Sequence, residues 1–336
     1  MRIAVVYSEY ENLPQKVYKE NPHGPEQMKV TLKTISEALE NYGHEVFKVA
    51  ANVDTLRTIM DIGNIDVIFA HYIPMLNKKR QGNLFAMLEL LDIPIVGSGI
   101  YAHTICLYKQ TTKLVLRSHG IPTPPSQLFY TPFDELDAEL KERFPLFVKP
   151  ESEGASLGIR NDSLVHNEEE LRKTLNRIFK DVEPPIIVEE YLSGREFTVG
   201  VLGDEEIIAL PVLEFIYEDT DDVKFQSVER KSVGNIKTVC PAEISKELEL
   251  EMKEIAIESF KAVKAGVYLR VDLRMDRDGN ISVIEVNTMP GLEKGESYYN
   301  ETAKVMGIEY DELINRMAEI AHRTWQDDLP YERGKF

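Results

Sequence analysis

The stretch Tyr268–Gly291, YLRVDLRMDRDGNISVIEVNTMPG, reads as a β-hairpin. In its first arm apolar Leu269, Val271, Leu273 and Met275 alternate with polar Arg270, Asp272, Arg274 and Asp276, the period of two that marks a strand. Asp278-Gly279 predicts a two-residue turn with positive φ at both positions. With those two residues as the loop, Arg277 faces Asn280, Asp272 faces Glu285 and Arg270 faces Asn287.

Facing residues on one side of an antiparallel pair lie about 5 Å apart at Cβ. Two carboxylates and a carboxamide then converge on one patch, with a guanidinium beside them. Hard oxygen ligands of this kind suit Mg²⁺, which keeps waters and takes its other ligands from substrate phosphates. The competing reading is a solvated polar hairpin face. Against it, Glu285 and Asn287 interrupt an otherwise apolar run, ISVIEV, where a solvated face is not expected.

Around this hairpin the 336-residue chain is long enough for two or three domains with large cores. With 43% hydrophobic and 29% charged residues it is ordinary globular material, and long disorder is not expected. Its 57 acidic and 39 basic residues give a net charge of −18, which argues against a nucleic-acid partner. Anionic small molecules need only a few local cations and stay open. Cys106 and Cys240 form no metal spacing and no disulfide framework, as suits a reducing compartment. MRIAVVYSEY has no cleavage signature, and no apolar run approaches the ~18 residues of a membrane span. The expectation is a soluble, cytoplasmic protein with no membrane partner.

Residues 1–115 alternate short strands (Arg2–Tyr7, Val46–Ala50, Asp66–Ala70, Ile93–Val96) with helices (Gln27–Tyr42, Leu84–Leu91). This βαβ order predicts a mostly parallel, doubly wound sheet, with ligands at the carboxyl ends of its strands. The polar Tyr7–Pro25 segment reads equally as site lining or as a plain surface loop. Gly97-Ser98-Gly99-Ile100-Tyr101-Ala102 matches a dinucleotide fingerprint, but no acid stands about 20 residues on, where one should meet a ribose. It is read as a tight turn into a helix, with an NAD(P)-dependent dehydrogenase as the alternative. Gly120–Pro125 predicts a domain boundary.

Beyond that boundary, the strand Pro145–Lys149 runs into the loop Pro150–Gly158. Lys149 reads as a polyphosphate clamp or, equally, as a snorkelling surface lysine. Ile186–Leu192 and Phe197–Leu202 are further strands. Glu214–Gly234 is long and charged, as lids often are. Glu247–Lys264 and Tyr310–Arg323 are amphipathic helices.

FVKPESEGASLG (147–158), VEEYLSGREFTVGVL (188–202) and LRVDLRMDRDGNISVIEVNTMPG (269–291), in this order, resemble the D-alanine–D-alanine ligase family of ATP-grasp enzymes. The likeness runs from Asp92 to Ala321, with a looser match before it. It implies an α/β plus α+β chain of ATP-grasp architecture with an N-terminal doubly wound domain. The expected divisions are 1–115 on the substrate side, 116–202 as the central ATP-grasp subdomain, and 203–336 as the C-terminal subdomain with the Mg²⁺ site. By position, the resemblance implies that Lys109 and Lys149 contact ATP phosphates beneath a loop containing Ser156. Glu189, Glu190 and Leu192 would hold the adenine, Glu196 the ribose, and Lys224 would reach in from the long loop. Asp272, Glu285 and Asn287 would bind Mg²⁺, with Mn²⁺ as the alternative. Arg270 would stabilise the oxyanion of a tetrahedral intermediate, and His71 and Gly291 would lie on the substrate side. The implied reaction joins a small-molecule carboxylate to an amine through an acyl phosphate; a homodimer is compatible with the resemblance.

Departures fall on the first-substrate side. The family's glycine-rich start with a glutamate is absent, with Glu26 or Gln27 nearest. Its His-Gly…Gly-Glu-Asp-Gly segment becomes His71-Tyr72-Ile73-Pro74…Arg80-Gln81-Gly82. Ala155 replaces the first loop serine, Phe225 a tyrosine, and Glu296-Ser297 a serine-leucine pair. The expectation is intact ATP handling with a first substrate other than D-alanine. A third reading, a non-catalytic nucleotide-binding relative, is opposed by the retention of Arg270, Asp272, Glu285 and Asn287 together.

Overall fold

The computed structural model describes residues 1–8, 24–71, 81–152, 158–203, 206–217, 225 and 236–327. The first sheet is parallel throughout, in the order β2-β1-β3-β4, from β1 (Arg2–Tyr7), β2 (Glu45–Ala50), β3 (Val67–His71) and β4 (Ile95–Val96). The helices α1 (Gly24–Asn41), α2 (Thr55–Ile62) and α3 (Gln81–Glu89) make the crossovers. All five residues of β3 are buried, as a parallel strand covered on both faces requires. α1 stops where Gly43 takes φ +78°, and the Gly43 and His44 N–H groups close back on Glu40 and Leu39. In register Tyr7 sits beside His71, so the strand ends form one carboxyl edge.

After β4 the chain turns through Gly97 (φ +122°) into α4 (Ile100–Leu107) and α5 (Lys109–Ser118). This turn has no room for a pyrophosphate. Val267 N–H donates to the Gly97 carbonyl at 3.2 Å, Gly266 N–H donates to the Ser98 hydroxyl at 3.2 Å, and Ser98 is buried. The fingerprint is therefore an internal packing turn, and the dehydrogenase alternative loses its one support.

The second sheet, β5 (Ser126–Phe129), β6 (Leu146–Pro150), β7 (Leu164–Val165) and β8 (Ile186–Glu190), is antiparallel in the order β5-β8-β6-β7. The short α6 (Ala138–Lys141) and the longer α7 (Glu168–Asp181) cover it. α7 starts where Asn167 accepts the Glu170 N–H at 2.9 Å and the Glu170 carboxylate accepts the His166 N–H at 2.8 Å, a reciprocal cap. Its Leu171, Leu175 and Ile178 bury against Val148, Ile186 and Val188.

The third sheet runs β12-β11-β9-β13-β14, with β10 on the side of β9. Its strands are β9 (Glu196–Gly203), β10 (Ile207–Ala209), β11 (Leu213–Tyr217), β12 (Ile236–Val239), β13 (Tyr268–Met275) and β14 (Ile281–Asn287). Here α8 (Lys246–Ala262) packs Met252, Ala256 and Phe260 on Val199, Val201 and Leu269. The division expected after 202 falls inside β9, which pairs with β13 over seven residues and so belongs to this sheet. Glu214–Tyr217, expected to open a loop, is strand. Leu213 and Phe215 are buried, and Glu214 is tied to Arg195 through two 2.6 Å hydrogen bonds, so its charge does not oppose burial. Two further helices, α9 (Tyr298–Val305) and α10 (Tyr310–Asp327), end the described chain, and α10 returns to the first sheet.

The hairpin faces Arg270 with Asn287 and Asp272 with Glu285, as expected, but by another route. Asp276 N–H donates to the Asn280 carbonyl at 2.9 Å, closing a three-residue loop, Arg277–Gly279, in which Gly279 has φ +88° and Asp278 has no positive φ. The one-residue slip this causes is undone by a bulge: Leu273 pairs with Val283 and Asp272 with Glu285, leaving Ile284 extra. The Asp276 carboxylate decides the loop by accepting the Asn280 side-chain amide and the backbone N–H groups of Asn280 and Asp278. These bonds hold it below the usual carboxylate range.

Candidate active site

Three adjacent strands place the acidic face. On β13, Arg270 grips Asp272 with Nε and Nη2, at 2.8 and 2.9 Å. Thr198, opposite on β9, donates its hydroxyl to Asp272 Oδ1 at 2.7 Å, and Asn287 on β14 donates Nδ2 to Oδ2 at 2.8 Å. Glu285 Oε1 lies 3.4 Å from the Nζ of buried Lys109 at the start of α5. Burial opposes the charge on Arg270, but the carboxylates of Asp272 and Glu285 outweigh it and hold the guanidinium above its ordinary value. Among the described residues no three His, Cys, Asp or Glu side chains converge; the pair Asp272 and Glu285 is completed by a carboxamide. Two facing carboxylates and an amide oxygen fit a hard divalent cation that takes its remaining ligands from water and phosphate.

A second cluster lies beside it. Lys149, at the end of β6, meets Glu189 Oε1 at 2.6 Å, and Lys113 on α5 pairs with the other oxygen. All three side chains are buried. Burial alone would raise Glu189, but the two ammonium groups outweigh it and hold the carboxyl below its ordinary value. Lys113, whose Nζ also donates to the Pro124 carbonyl at 3.1 Å, is lowered to about 8 by burial. The sequence reading passed over Lys113. The available signal was its position four residues after Lys109, on the same helix face. Glu189, expected at the adenine, here faces two lysines. Glu151 docks α5 on the end of β6: its carboxylate accepts the Gln110 N–H at 3.0 Å and its carbonyl the Lys109 N–H at 3.3 Å.

Glu196 is buried at the start of β9, where Arg274 Nη1 and the Tyr217 hydroxyl both donate to its Oε2 at 2.8 Å. Glu190 is partly exposed and pairs with Arg143 at 2.9 Å, and Leu192 is buried. Ser156 and Lys224 lie outside the described residues, as do Arg80, Ala155 and most of the expected lid.

His71, expected on the substrate side, is buried at the carboxyl edge of the first sheet. Among the described residues neither ring nitrogen has a hydrogen-bond partner, and burial lowers it to about 4. The segment after β14 reaches the same domain, where Met289 packs on the cluster containing Val6, Ala70 and Phe85. Thr288 meets His103 Nδ1 at 2.9 Å. The Ser297 hydroxyl donates back to the Gly291 carbonyl, fixing this turn ahead of α9. Phe225 packs edge-on against Phe147, 4.8 Å between ring centroids, beside Tyr191.

The model of the D-ala D-ala ligase C-terminus matches residues 115–319. The chain belongs to the D-alanine–D-alanine ligase family. It is 30% identical over 309 residues to the D-alanine–D-alanine ligase of Pelotomaculum thermopropionicum, covering 87% of this chain and 92% of that one. It is also 30% identical to an uncharacterised protein, y4sG, of Sinorhizobium fredii, covering 97% and 98% of the two chains. A solved D-alanine–D-alanine ligase from Bacillus anthracis, complexed with ATP, superposes with a TM-score of 0.73 at 26% identity, over 98% of this chain and 99% of that one. The fold is that of the ATP-grasp enzymes, and the chain is an ATP-dependent carboxylate–amine ligase of this family.

Proposed function

We propose that the ligase binds Mg·ATP between its second and third sheets and activates a carboxylate other than D-alanine for attack by an amine. The observation that carries the ATP half is the convergence of Arg270, Asp272, Glu285 and Asn287 on one hairpin face, with Lys109, Lys113 and Lys149 beside it. Asp272, Glu285 and Asn287 would hold the metal, which supplies charge neutralisation at the phosphates. The lysines offer the polyphosphate cations that are now paired with Glu285 and Glu189. The substrate carboxylate oxygen attacks the γ-phosphorus, the bond to the ADP oxygen breaks, and an acyl phosphate forms. The amine nitrogen then attacks the acyl carbon, its proton leaves, and phosphate departs. Arg270 offers N–H donors to the oxyanion that develops in that second step.

The first-substrate departures motivate the altered specificity. A site built to pair an ammonium loses discrimination when its partners are removed. Here Arg80 stands in the sequence where the family has an acid, and Phe225 packs against the rings of Phe147 and Tyr191 where the family has a tyrosine. Both cysteines are free thiols, which supports a reducing, cytoplasmic setting, and no helix among the described residues is long and apolar enough to cross a membrane. The test is phosphate release with Mg·ATP across a panel of D-amino acids, L-amino acids and 2-hydroxy acids, each with several amines. Another carboxylate is expected to exceed D-alanine in kcat/KM at least about tenfold. Efficient synthesis of D-alanyl-D-alanine, near the best of the panel, would refute the altered specificity.

A further inference from the structure

Glu196 is fixed from two sides at one oxygen. Arg274 faces it directly across the β13–β9 ladder and donates Nη1 to Oε2 at 2.8 Å. The Tyr217 hydroxyl, from β11, donates to the same Oε2 at 2.8 Å. Arg274 is itself clamped: Nη2 donates to the Tyr191 hydroxyl at 2.8 Å, and its guanidinium carbon lies 4.7 Å from the centre of the Tyr191 ring. Arg274 and Glu196 are 4% and 7% exposed, so the pair is desolvated. A buried ion pair of this kind contributes little net stability compared with an apolar pair of similar volume, so a merely structural role accounts poorly for it. Arg274 also shares its strand face with Arg270 and Asp272, which places it along the same row as the candidate metal site.

We propose that Arg274 is a positioning residue of the nucleotide site: it fixes the Glu196 carboxylate through Oε2, so that Oε1 meets the ribose hydroxyls and makes the protein prefer ribonucleotides to deoxyribonucleotides. This rests on the ATP reading above, in which Glu196 is the ribose partner. A hydroxyl pair needs an ionised acceptor at a fixed place. Burial pushes the Glu196 carboxyl up from its ordinary value, with the Arg274 charge opposing that rise. Without Arg274 the group would lose both the bond that fixes its orientation and the charge that opposes its protonation. A planar fork that reaches Glu196 and Tyr191 together does what a single ammonium does only in part.

The test is calorimetric binding of Mg·ATP, Mg·2′-deoxyATP and Mg·3′-deoxyATP to the unaltered protein and to Arg274→Met, Arg274→Lys and Tyr217→Phe. The unaltered protein is expected to bind ATP at least about tenfold more tightly than a deoxy analogue, the worth of a hydrogen bond to a charged group. In Arg274→Met that ratio should fall to within about twofold of one, with Arg274→Lys intermediate. Tyr217→Phe, which removes one bond to the same oxygen, should lower the ratio less. A folded Arg274→Met that keeps the full ratio overturns the inference. Should that variant not fold, an unchanged ratio in Tyr217→Phe overturns it equally. Failure of the unaltered protein to bind Mg·ATP refutes the proposed function itself, whereas tight binding with no discrimination in the unaltered protein refutes this inference alone.

Discussion

Glu285 is the residue at which charge and shape separate most cleanly. Gln keeps the volume and the strand pairing with Asp272 but removes one of two facing carboxylates. Glu285→Gln is expected to lower phosphate release at least about 100-fold, with a melting temperature within a few degrees of the unaltered protein. Turnover that survives the change would remove Glu285 from the metal site. Lys113 makes the complementary case, because it shares Glu189 with Lys149 in a buried triad. Lys113→Met leaves one ammonium for a buried carboxylate, and breaking a buried pair costs about 3 kcal/mol. The urea midpoint should fall accordingly, and Mg·ATP should bind about tenfold more weakly because a charge-assisted contact is lost. An unchanged midpoint would show that Lys149 alone satisfies Glu189.

At the scale of elements, the contact between α4 and the end of β14 is built on a histidine that stays neutral. His103 stacks on Phe85 at 3.8 Å and takes Gln81 and Thr288 on Nδ1. Burial lowers it from 6.5 to about 3, and His71 from 6.5 to about 4. Because the folded values are depressed, the unfolded chain takes up these protons first as the pH falls. The stability contributed by the neutral rings is therefore fully present above 6.5 and drains away down to about 4 for His71 and about 3 for His103. For His71 alone the loss reaches about 3 kcal/mol at the bottom of that window. His103→Asn should lower stability overall but flatten its dependence on pH in this range by close to one proton. Equal slopes for the two proteins would show that His103 is not buried neutral. The same elements show what sequence could and could not supply. The facing of Asp272 with Glu285 followed from alternation and an assumed two-residue turn, and it holds because the bulge cancels the extra loop residue. The three-residue loop and the compensating bulge were not legible, because they depend on how the Asp276 carboxylate collects three donors. Glu214–Tyr217 was misread for a similar reason: Glu214 looks solvated until Arg195, nineteen residues away, is placed against it.

For the molecule as a whole, the parallel first sheet was legible because apolar runs and turn residues are local signals, and the ATP-grasp segments because three stretches in order resemble that family. The destination of the last helix was not. α10 reads as an ordinary amphipathic helix, yet its Leu313, Ile314, Met317 and Ile320 are buried in a cluster with Ile3, Val5, Ile35, Leu39 and Val67. Leu202 and Tyr268 of the third sheet, with Leu210 just after β10, join the same cluster. The first sheet and the nucleotide half thus share one core, and the two are expected to unfold in a single calorimetric transition. Ending the chain at Glu309 removes those four side chains and Tyr310 at about 2 kcal/mol each, on the order of 10 kcal/mol together. That equals the whole stability of a typical domain, about 5–15 kcal/mol. The shortened chain should therefore lose its cooperative transition and be cleaved within β1 and β3 by a protease that leaves the full chain intact. A soluble shortened protein with an unchanged melting temperature would show that α10 only covers a surface, and that the two halves are held together elsewhere.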